Sequence, residues 1–202
     1  MKIIEKRILL SSGPFPRSKA LKSIEKQVVK AIKSIHWPLN SKSFTLFDQS
    51  GKKRNEGNGV APIKTECMRY LESKGWGLET PVEIATVKKP GPMDATCAVG
   101  RKLFCCEWET GNISSSHRSL NKMAIGIQKG ILVGGILIMP TRKMYKYLTD
   151  RVGNFSEIEP YFPMWESIPI KEGYLAVIAV EHDAVSNKVP RIPKGTDGRS
   201  LV

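Results

Sequence analysis

Apolar residues recur every three or four positions in three segments of the chain, a spacing that places them on one face of an α-helix. Residues 18–35 carry the longest such stripe. Residues 62–74 predict a second helix, because Pro62 suits a first turn and Gly75 suits a helix end. Residues 114–129 predict a third helix. These segments account for the helical part of the expected fold.

A shorter helix is expected after Asn154. Asn154 and Glu157 have the spacing of a capping box, and Pro160 and Pro163 should limit or kink this helix. Residues 141–148 are interpreted as a short helix or a loop.

Strands are predicted where apolar residues alternate or run without interruption. Residues 131–139 and 174–180 are continuous apolar runs of the kind found in buried strands. Residues 102–109 alternate, and residues 81–87 alternate imperfectly. Residues 91–94, Gly-Pro-Met-Asp, are interpreted as a turn that presents an acid at its end.

Strands that alternate with helices predict an α/β fold, with a mixed central sheet covered by helices on both faces. Residues 1–202 are expected to form one domain, since this length suffices for a sizeable core. Residues 185–202 are rich in proline, glycine and charge, so they are interpreted as a C-terminal arm.

The charge balance is strongly basic. Lys and Arg number 32 against 19 acids, a net charge of +13. This favours a polyanionic partner, nucleic acid before membrane, over a protein that is merely basic. A row of lysines fills the polar side of the helix at residues 18–35. We interpret it as a solvated face, with direct DNA contact as the alternative.

Neither a signal peptide nor a membrane span is predicted. Charges interrupt the first ten residues, and the longest apolar run is shorter than the roughly 20 residues that cross a bilayer. The four cysteines lack the spacing of a zinc site or a disulfide framework, which favours a reducing cytoplasm. They are Cys67, Cys97, Cys105 and Cys106.

Two acids end the apolar strand at residues 102–109. Alternation places Glu107 and Glu109 on one face, roughly 6–7 Å apart. Two carboxylates so close need a cation between them. Magnesium with a phosphate would serve, and so would a lysine or an arginine.

Asp94 extends this acidic pair to the pattern Asp…Glu-x-Glu. Phosphodiester hydrolysis needs an activated water and a neutralised developing charge, and magnesium held by carboxylates supplies both. Asp94 and Glu107 could hold the ion while Glu109 orients or deprotonates the water. Solvated or salt-bridged carboxylates are the alternative interpretation of this pattern.

Longer runs give the pattern a family context. From Trp37 onward, most of the chain resembles the BamHI family of type II restriction endonucleases, in order and with closely similar spacing. The matching runs include Gly91-Pro-Met-Asp94, Glu109-Thr-Gly-Asn-Ile-Ser-Ser-Ser-His-Arg-Ser-Leu-Asn-Lys-Met123, Tyr147-Leu-Thr-Asp-Arg-Val152 and Val189-Pro-Arg-Ile-Pro-Lys-Gly-Thr-Asp-Gly198.

The resemblance implies a magnesium-dependent endonuclease with the restriction-endonuclease core, using one or two Mg²⁺ ions. Asp94, Glu107 and Glu79 would be metal ligands, with Glu83 as the competitor for Glu79. Glu109 would be the general base, where most relatives have lysine. The implied target is GGATCC in double-stranded DNA, cut after the first G to leave 5′ overhangs. A different palindrome, or a DNA-binding protein that does not cleave, is the alternative.

The resemblance also implies which residues recognise the bases. Asn112, Ser114 and Arg118 would contact the inner base pairs, and Asp150 and Arg151 the outer ones. Arginine suits guanine and an acid suits cytosine in the major groove. The alternative interpretations are a helix cap for Asn112 and an internal salt bridge for Asp150 with Arg151.

The remaining implied contacts concern the DNA backbone and a second subunit. Lys64 would meet a phosphate, and Asp197 and Gly198 would lie in the arm that contacts the minor groove. That arm ends early, so discrimination against near-cognate sites is expected to differ from that of the longer family member. A palindrome implies a homodimer. The resemblance places the interface on the helix at residues 114–129 and the segment after residue 154. It also implies a bacterial host with a cognate DNA methyltransferase that makes no direct contact.

Overall fold

The computed structural model describes residues 1–53, 56–84, 91–149 and 152–194. The strands are β1 Lys2–Ser12, β2 Thr45–Phe47, β3 Gly77–Pro81, β4 Pro92–Val99, β5 Lys102–Trp108, β6 Leu132–Pro140, β7 Gly173–Glu181 and β8 Ala184–Ser186. The helices are α1 Lys19–Lys33, α2 Ala61–Glu72, α3 Ile113–Gln128, α4 Arg142–Tyr145, α5 Phe155–Ile158 and α6 Phe162–Glu166.

Six strands form one mixed sheet in the order β1-β7-β6-β5-β4-β3. The central strands β5, β6 and β7 run parallel, whereas β1, β4 and β3 pair antiparallel with their neighbours. Every residue of β6 and β7 is buried, as expected for strands covered on both faces. Strands β2 and β8 form a separate parallel pair.

Two apolar cores lie on opposite faces of this sheet. Helices α1 and α2 pack in one core with Phe104 and Cys106 of β5. Helices α3, α5 and α6 pack in the other core, with Cys105 of the same strand. The alternation predicted for β5 is therefore confirmed, and so is the mixed α/β fold with helices on both faces. No helix in the described ranges is long and apolar enough to cross a bilayer.

The helices predicted from periodicity are present within two residues of their expected ends. Ser18 caps α1 by accepting a hydrogen bond from Leu21 N at 3.1 Å, and Gly75 follows α2 with φ +86°. The segment after Asn154 divides into α5, a single 3₁₀ turn and α6, because Pro160 and Pro163 are each the second residue of a new element. All four cysteines have free thiols in the structure.

Two predictions near the acids were wrong. The strand expected at residues 81–87 lies earlier, at β3, and residues 82–84 leave the sheet to bury Val82 and Ile84 without pairing. Residues 85–87 lie outside the described part. Residues 91–94 are not a turn, since Pro92 begins β4 and Asp94 lies inside that strand. Gly91-Pro92 marks the start of an extended strand, which proline tolerates at its first position.

Besides β4, where a turn was expected, three strands were not predicted. β1 is an edge strand with mostly exposed side chains, so it lacks an apolar signature. β2 and β8 are three-residue strands that pair across 139 positions, Thr45 with Ala184. The arm predicted at residues 185–202 therefore begins later than expected, because residues 185 and 186 belong to β8. Farther along, Ile192 is buried and its N–H donates to Asn58 Oδ1 at 3.2 Å.

Gly134 makes the close contact between β6 and its neighbours possible. A Cβ atom there would lie 2.7 Å from Phe104 Cε2 and 2.8 Å from Tyr174 O, which is a backbone atom. We therefore expect Gly134→Ala to lower the free energy of unfolding by about 1–3 kcal/mol, measured by urea denaturation. Gly91→Ala is the control, since its Cβ would meet no atom within 4 Å. Equal stability of the two variants would contradict the expectation.

Candidate active site

Three neighbouring strands bring three acids to one level of the sheet. In the β3–β4 ladder Leu78 pairs with Ala95, so the next residue, Glu79, falls opposite Asp94. The ladder between β4 and β5, continued by one residue, places Asp94 opposite Glu107. Glu79 and Glu107 are 28 positions apart in the sequence, and strand pairing brings them together.

Glu79 has an unusual backbone for its position. Its φ of +45° lies in the left-handed region, which residues with a Cβ atom rarely adopt. A strained conformation at an acid that faces other acids is typical of a functional site. The competitor Glu83 is exposed and does not line the cleft that holds these acids.

Lys64 of α2 is the cation that Asp94 and Glu79 share. Its Nζ lies 2.5 Å from Asp94 Oδ1 and 3.4 Å from Glu79 Oε1. Burial disfavours the lysine charge, but the two carboxylates outweigh it, so the pKa of Lys64 is raised. Lys64 was predicted to meet a DNA phosphate. The structure brings it into the acidic site, and the phosphate contact stays a prediction.

Asp94 is held from two sides. Trp108 N–H donates to its Oδ2 at 2.8 Å while Lys64 holds Oδ1. The residue is 8% exposed, and burial raises its pKa against the lowering effects of Lys64 and Trp108. The orientation of this carboxylate is therefore fixed by α2 and β5 together.

Glu107 has a strongly raised pKa. Burial first, and then the negative charge of Asp94, raise it to about 8, although Lys122 and Lys64 act in the opposite direction. No ion pair to Glu107 forms within 4.0 Å among the described residues. A cation bound here would stabilise the ionised form of this carboxylate.

Glu109 lies one residue beyond β5, and its N–H donates to Ile138 O at 2.8 Å. The side chain is 4% exposed, and burial raises its pKa to about 7. Both carboxylate oxygens accept hydrogen bonds: Gly111 N donates to Oε1 at 2.6 Å, and Ser116 Oγ donates to Oε2. A carboxylate with a pKa near neutrality and a fixed orientation is suited to act as a general base.

A cleft of about 940 Å³ joins these acids to helix α3. Ser114 and Arg118, predicted to read inner base pairs, are exposed residues of α3 that line it. Asn112 caps α3, since its Oδ1 accepts from Ser115 N at 3.3 Å. The helix-cap interpretation of Asn112 is therefore confirmed, and its side chain is also exposed beside the cleft mouth residue Gly111.

Several predicted residues cannot be placed. Asp150, Arg151, Asp197 and Gly198 lie outside the described residues. His117 is a packed aromatic partner on α3, with its ring 4.6 Å from that of Tyr161.

Sequence reasoning missed two residues that the structure brings to the site. Lys122 lines the cleft, donates to Gly91 O and lowers the pKa of Glu107 by its charge. Ser116 bonds Glu109 and is fully buried. The sequence offered one signal for Ser116: it is a polar residue on the helix that follows the strand of the acids, two residues before Arg118. Its contact with Glu109 depends on how α3 packs, which the sequence does not show.

The carboxylates fit a hard divalent cation. Magnesium prefers oxygen ligands, and Asp94, Glu107 and Glu79 supply carboxylate oxygens at one level of the sheet. The raised pKa of Glu107 shows that nearby positive charge does not offset the burial of its carboxylate. Among the described residues no ready-made cluster of three or more ligating side chains forms, since Asp94 and Glu79 point to Lys64.

Known proteins resemble this chain along nearly all of its length. The family model described as "Restriction endonuclease BamHI" matches residues 1–199. The type II restriction enzyme OkrAI of Oceanobacter kriegii is 48% identical over 201 residues, which cover 100% of both chains. The type II restriction enzyme BamHI of Bacillus amyloliquefaciens is 38% identical, over 91% of this chain and 85% of its own.

A solved structure shares the fold at low identity. A crystal structure of the restriction endonuclease BglII in complex with a DNA 16-mer has a TM-score of 0.62 at 9% identity, covering 94% of this chain and 88% of its own. Free BglII gives a TM-score of 0.51, also at 9% identity, over 89% of this chain and 81% of its own. At this identity the likeness concerns the fold alone.

Proposed function

Because the chain belongs to the BamHI family of restriction endonucleases, and is thus a type II site-specific deoxyribonuclease, we propose that it cuts double-stranded DNA at GGATCC. Cleavage after the first G would leave 5′ overhangs. One observation carries this proposal: Asp94, Glu107 and Glu109 line the same cleft as Ser114 and Arg118. Hydrolysis and base recognition would therefore meet in one place.

Asp94, Glu107 and Glu79 would hold Mg²⁺. When bound, the metal supplies neutralisation of the charge that develops on the phosphate and lowers the pKa of a bound water. Lys64 would then leave its shared position between Asp94 and Glu79 and turn to a DNA phosphate. This exchange of cations joins the two roles that the sequence and the structure give to Lys64.

Glu109 would orient the attacking water and accept its proton. The N–H of Gly111 and the hydroxyl of Ser116 hold its carboxylate, and each oxygen keeps a further lone-pair direction for the water. A pKa raised by burial to about 7 makes this carboxylate a better proton acceptor than an exposed glutamate.

Base recognition would come from α3 and from the segment around residue 150. Ser114 and Arg118 face the cleft, and Asn112 stands at the start of the same helix. With Asn112, they would contact the inner base pairs, and Asp150 with Arg151 the outer ones.

Arg118→Ala should weaken binding to the cognate site by about 5- to 100-fold, because a forked donor to guanine contributes about 1–3 kcal/mol of discrimination. Binding to DNA without the site should change much less. Fluorescence anisotropy with two duplexes, measured without magnesium, gives both affinities. Arg101→Ala is the control, since Arg101 is exposed in the β4–β5 hairpin. An equal loss on both duplexes would contradict a base-reading role.

A homodimer would present two such clefts to a palindrome. Large apolar side chains are exposed on α3 and on the segment after residue 154, the elements that the resemblance assigns to the interface. Ile125 is 36% exposed, Tyr161 50% and Met164 51%. Burial of these side chains against a second copy would remove them from water.

The arm and the cellular setting complete the proposal. Hydrogen bonding of Ile192 to Asn58 anchors the arm to the body, so residues beyond it, including Asp197 and Gly198, would start from a fixed point when they reach the minor groove. The enzyme would act in the bacterial cytoplasm beside a methyltransferase that protects host DNA.

One digest tests the proposed function. Purified protein is incubated with a sequenced plasmid, with and without Mg²⁺, and the ends are sequenced. We expect magnesium-dependent cuts after the first G of GGATCC on both strands. Cuts at another palindrome would overturn the proposed site. Binding without cleavage under any divalent metal would overturn the proposed chemistry.

A further inference from the structure

Ser116 contacts the carboxylate of Glu109 but does not line the cleft. It is fully buried, whereas its neighbours Ser114 and Arg118 are exposed. Its Oγ donates to Glu109 Oε2, and Gly111 N donates to Oε1. The orientation of Glu109 thus depends on one hydroxyl and one backbone N–H.

Gly153, which is distant in sequence, contacts both Gly111 and Ser116. Its N–H donates to Gly111 O at 2.8 Å, so the peptide group that begins at Gly111 is fixed from residue 153. A Cβ atom on Gly153 would lie 2.6 Å from Ser116 Oγ. The backbone at residue 153 therefore packs directly against the hydroxyl that orients Glu109.

We propose that Ser116 and Gly153 are positioning residues that couple recognition of the outer base pairs to the placement of Glu109. Asp150 and Arg151 lie three and two residues before Gly153 in the sequence, so the outer-base contacts that the proposed function gives them would act on the backbone next to residue 153. The coupling rests on the proposed function, which gives Glu109 and these two residues their roles. Neither Ser116 nor Gly153 is among the residues proposed to bind DNA or metal.

The close packing explains why a small error would be costly. Gly153 approaches Ile113 as well, since its Cβ would be 3.2 Å from Ile113 Cα. A buried hydroxyl with a close neighbour on its far side has little room to turn. A wrong outer base pair that displaces residue 153 would therefore displace Ser116, and the carboxylate of Glu109 would lose one of its two donors.

Ser116→Ala tests the first half of the coupling. Single-turnover cleavage of a GGATCC duplex should slow about 10- to 100-fold, the usual effect of one hydrogen bond to a charged group. The dissociation constant for the same duplex without magnesium should stay near wild type. Ser73→Ala is the matched control, because it removes one exposed hydroxyl bond at the end of α2.

Gly153→Ala tests the second half and does not depend on the first variant. Its Cβ should push the Ser116 hydroxyl away, so the cleavage rate should fall as in Ser116→Ala. The double variant should be no slower than the slower single variant, because the clashing hydroxyl is gone. An outer base change should also slow both single variants less than it slows wild type.

The outcomes separate the two proposals. If the wild type fails to cut any DNA, the proposed function and the coupling are both overturned. If the wild type cuts GGATCC while Ser116→Ala cuts within twofold of it, only the coupling is overturned. The coupling would also be overturned if the fold-loss in cleavage rate of the double variant equalled the product of the two single losses. It would likewise be overturned if each loss of rate were matched by an equal loss of DNA affinity.

Discussion

Glu107→Gln should abolish cleavage while making the metal-free protein more stable at pH 8. Glutamine keeps the shape of the side chain but removes the charge that a metal ligand needs. We expect the cleavage rate to fall at least about 1,000-fold, as for the loss of a central electrostatic group. Specific binding to GGATCC without magnesium should persist, because Glu107 is not among the residues proposed to read bases.

The gain in stability follows from the raised pKa of Glu107. The unfolded chain ionises this group near pH 4.5, whereas the folded protein keeps it protonated up to about pH 8. Stability is therefore lost as pH rises from about 4.5 to about 8, and the loss is complete above that value. Glutamine does not titrate, so the variant should be more stable than the wild type at pH 8, by at most about 4–5 kcal/mol. At pH 4 the two proteins should differ little.

Thermal unfolding with and without Mg²⁺ measures the change in stability and the stabilisation that magnesium provides. The wild type should gain stability when magnesium binds the folded state, and Glu107→Gln should lose most of that gain. Glu83→Gln is the control, because Glu83 is exposed and does not line the cleft. It should keep the wild-type cleavage rate and the wild-type response to magnesium. Full cleavage by Glu107→Gln would refute its assignment as a metal ligand.

Local patterns predicted the central layer of the fold well. The apolar runs of β6 and β7 and the stripes of α1 and α3 reflect burial in the native protein, so the sequence carries their signal directly. β1 was not predicted because it is an edge strand, held by one antiparallel partner, whose side chains are mostly exposed. Its order comes from pairing with β7, and no local pattern records that partner.

The acids were predictable, but the groups around them were not. Alternation placed Glu107 and Glu109 on one face, the pattern Asp…Glu-x-Glu added Asp94, and the family resemblance named Glu79. The strand that carries Asp94 was misread, since Gly91-Pro92 resembles a turn when the neighbouring strands are unknown. Lys64 lies 30 positions from Asp94 in the sequence, and Lys122 lies 31 positions from Gly91, separations that no local pattern spans.

The sequence predicted a cation beside the acids, and the structure supplies one for some of them only. A lysine does stand between two carboxylates, but these are Asp94 and Glu79. Glu107 has no such partner among the described residues, and burial leaves its pKa raised to about 8. The salt-bridge interpretation thus accounts for one half of the acidic site, and the other half retains the need for a cation.

Glu109→Gln should abolish cleavage for a different reason and so separate the two roles. Glutamine can still accept a hydrogen bond from Gly111 N through its oxygen, but its amide cannot take a proton from water. We expect a loss of at least about 100-fold in single-turnover cleavage, the usual contribution of a positioned general base. Binding to GGATCC without magnesium should stay near wild type.

The response to magnesium distinguishes this variant from Glu107→Gln. Asp94, Glu107 and Glu79 remain intact, so magnesium should still raise the melting temperature of Glu109→Gln. The two variants would then be equally inactive while differing in metal binding. If Glu109→Gln also loses the magnesium response, then Glu109 is a metal ligand, because a glutamate that binds only the attacking water leaves the affinity of the metal unchanged.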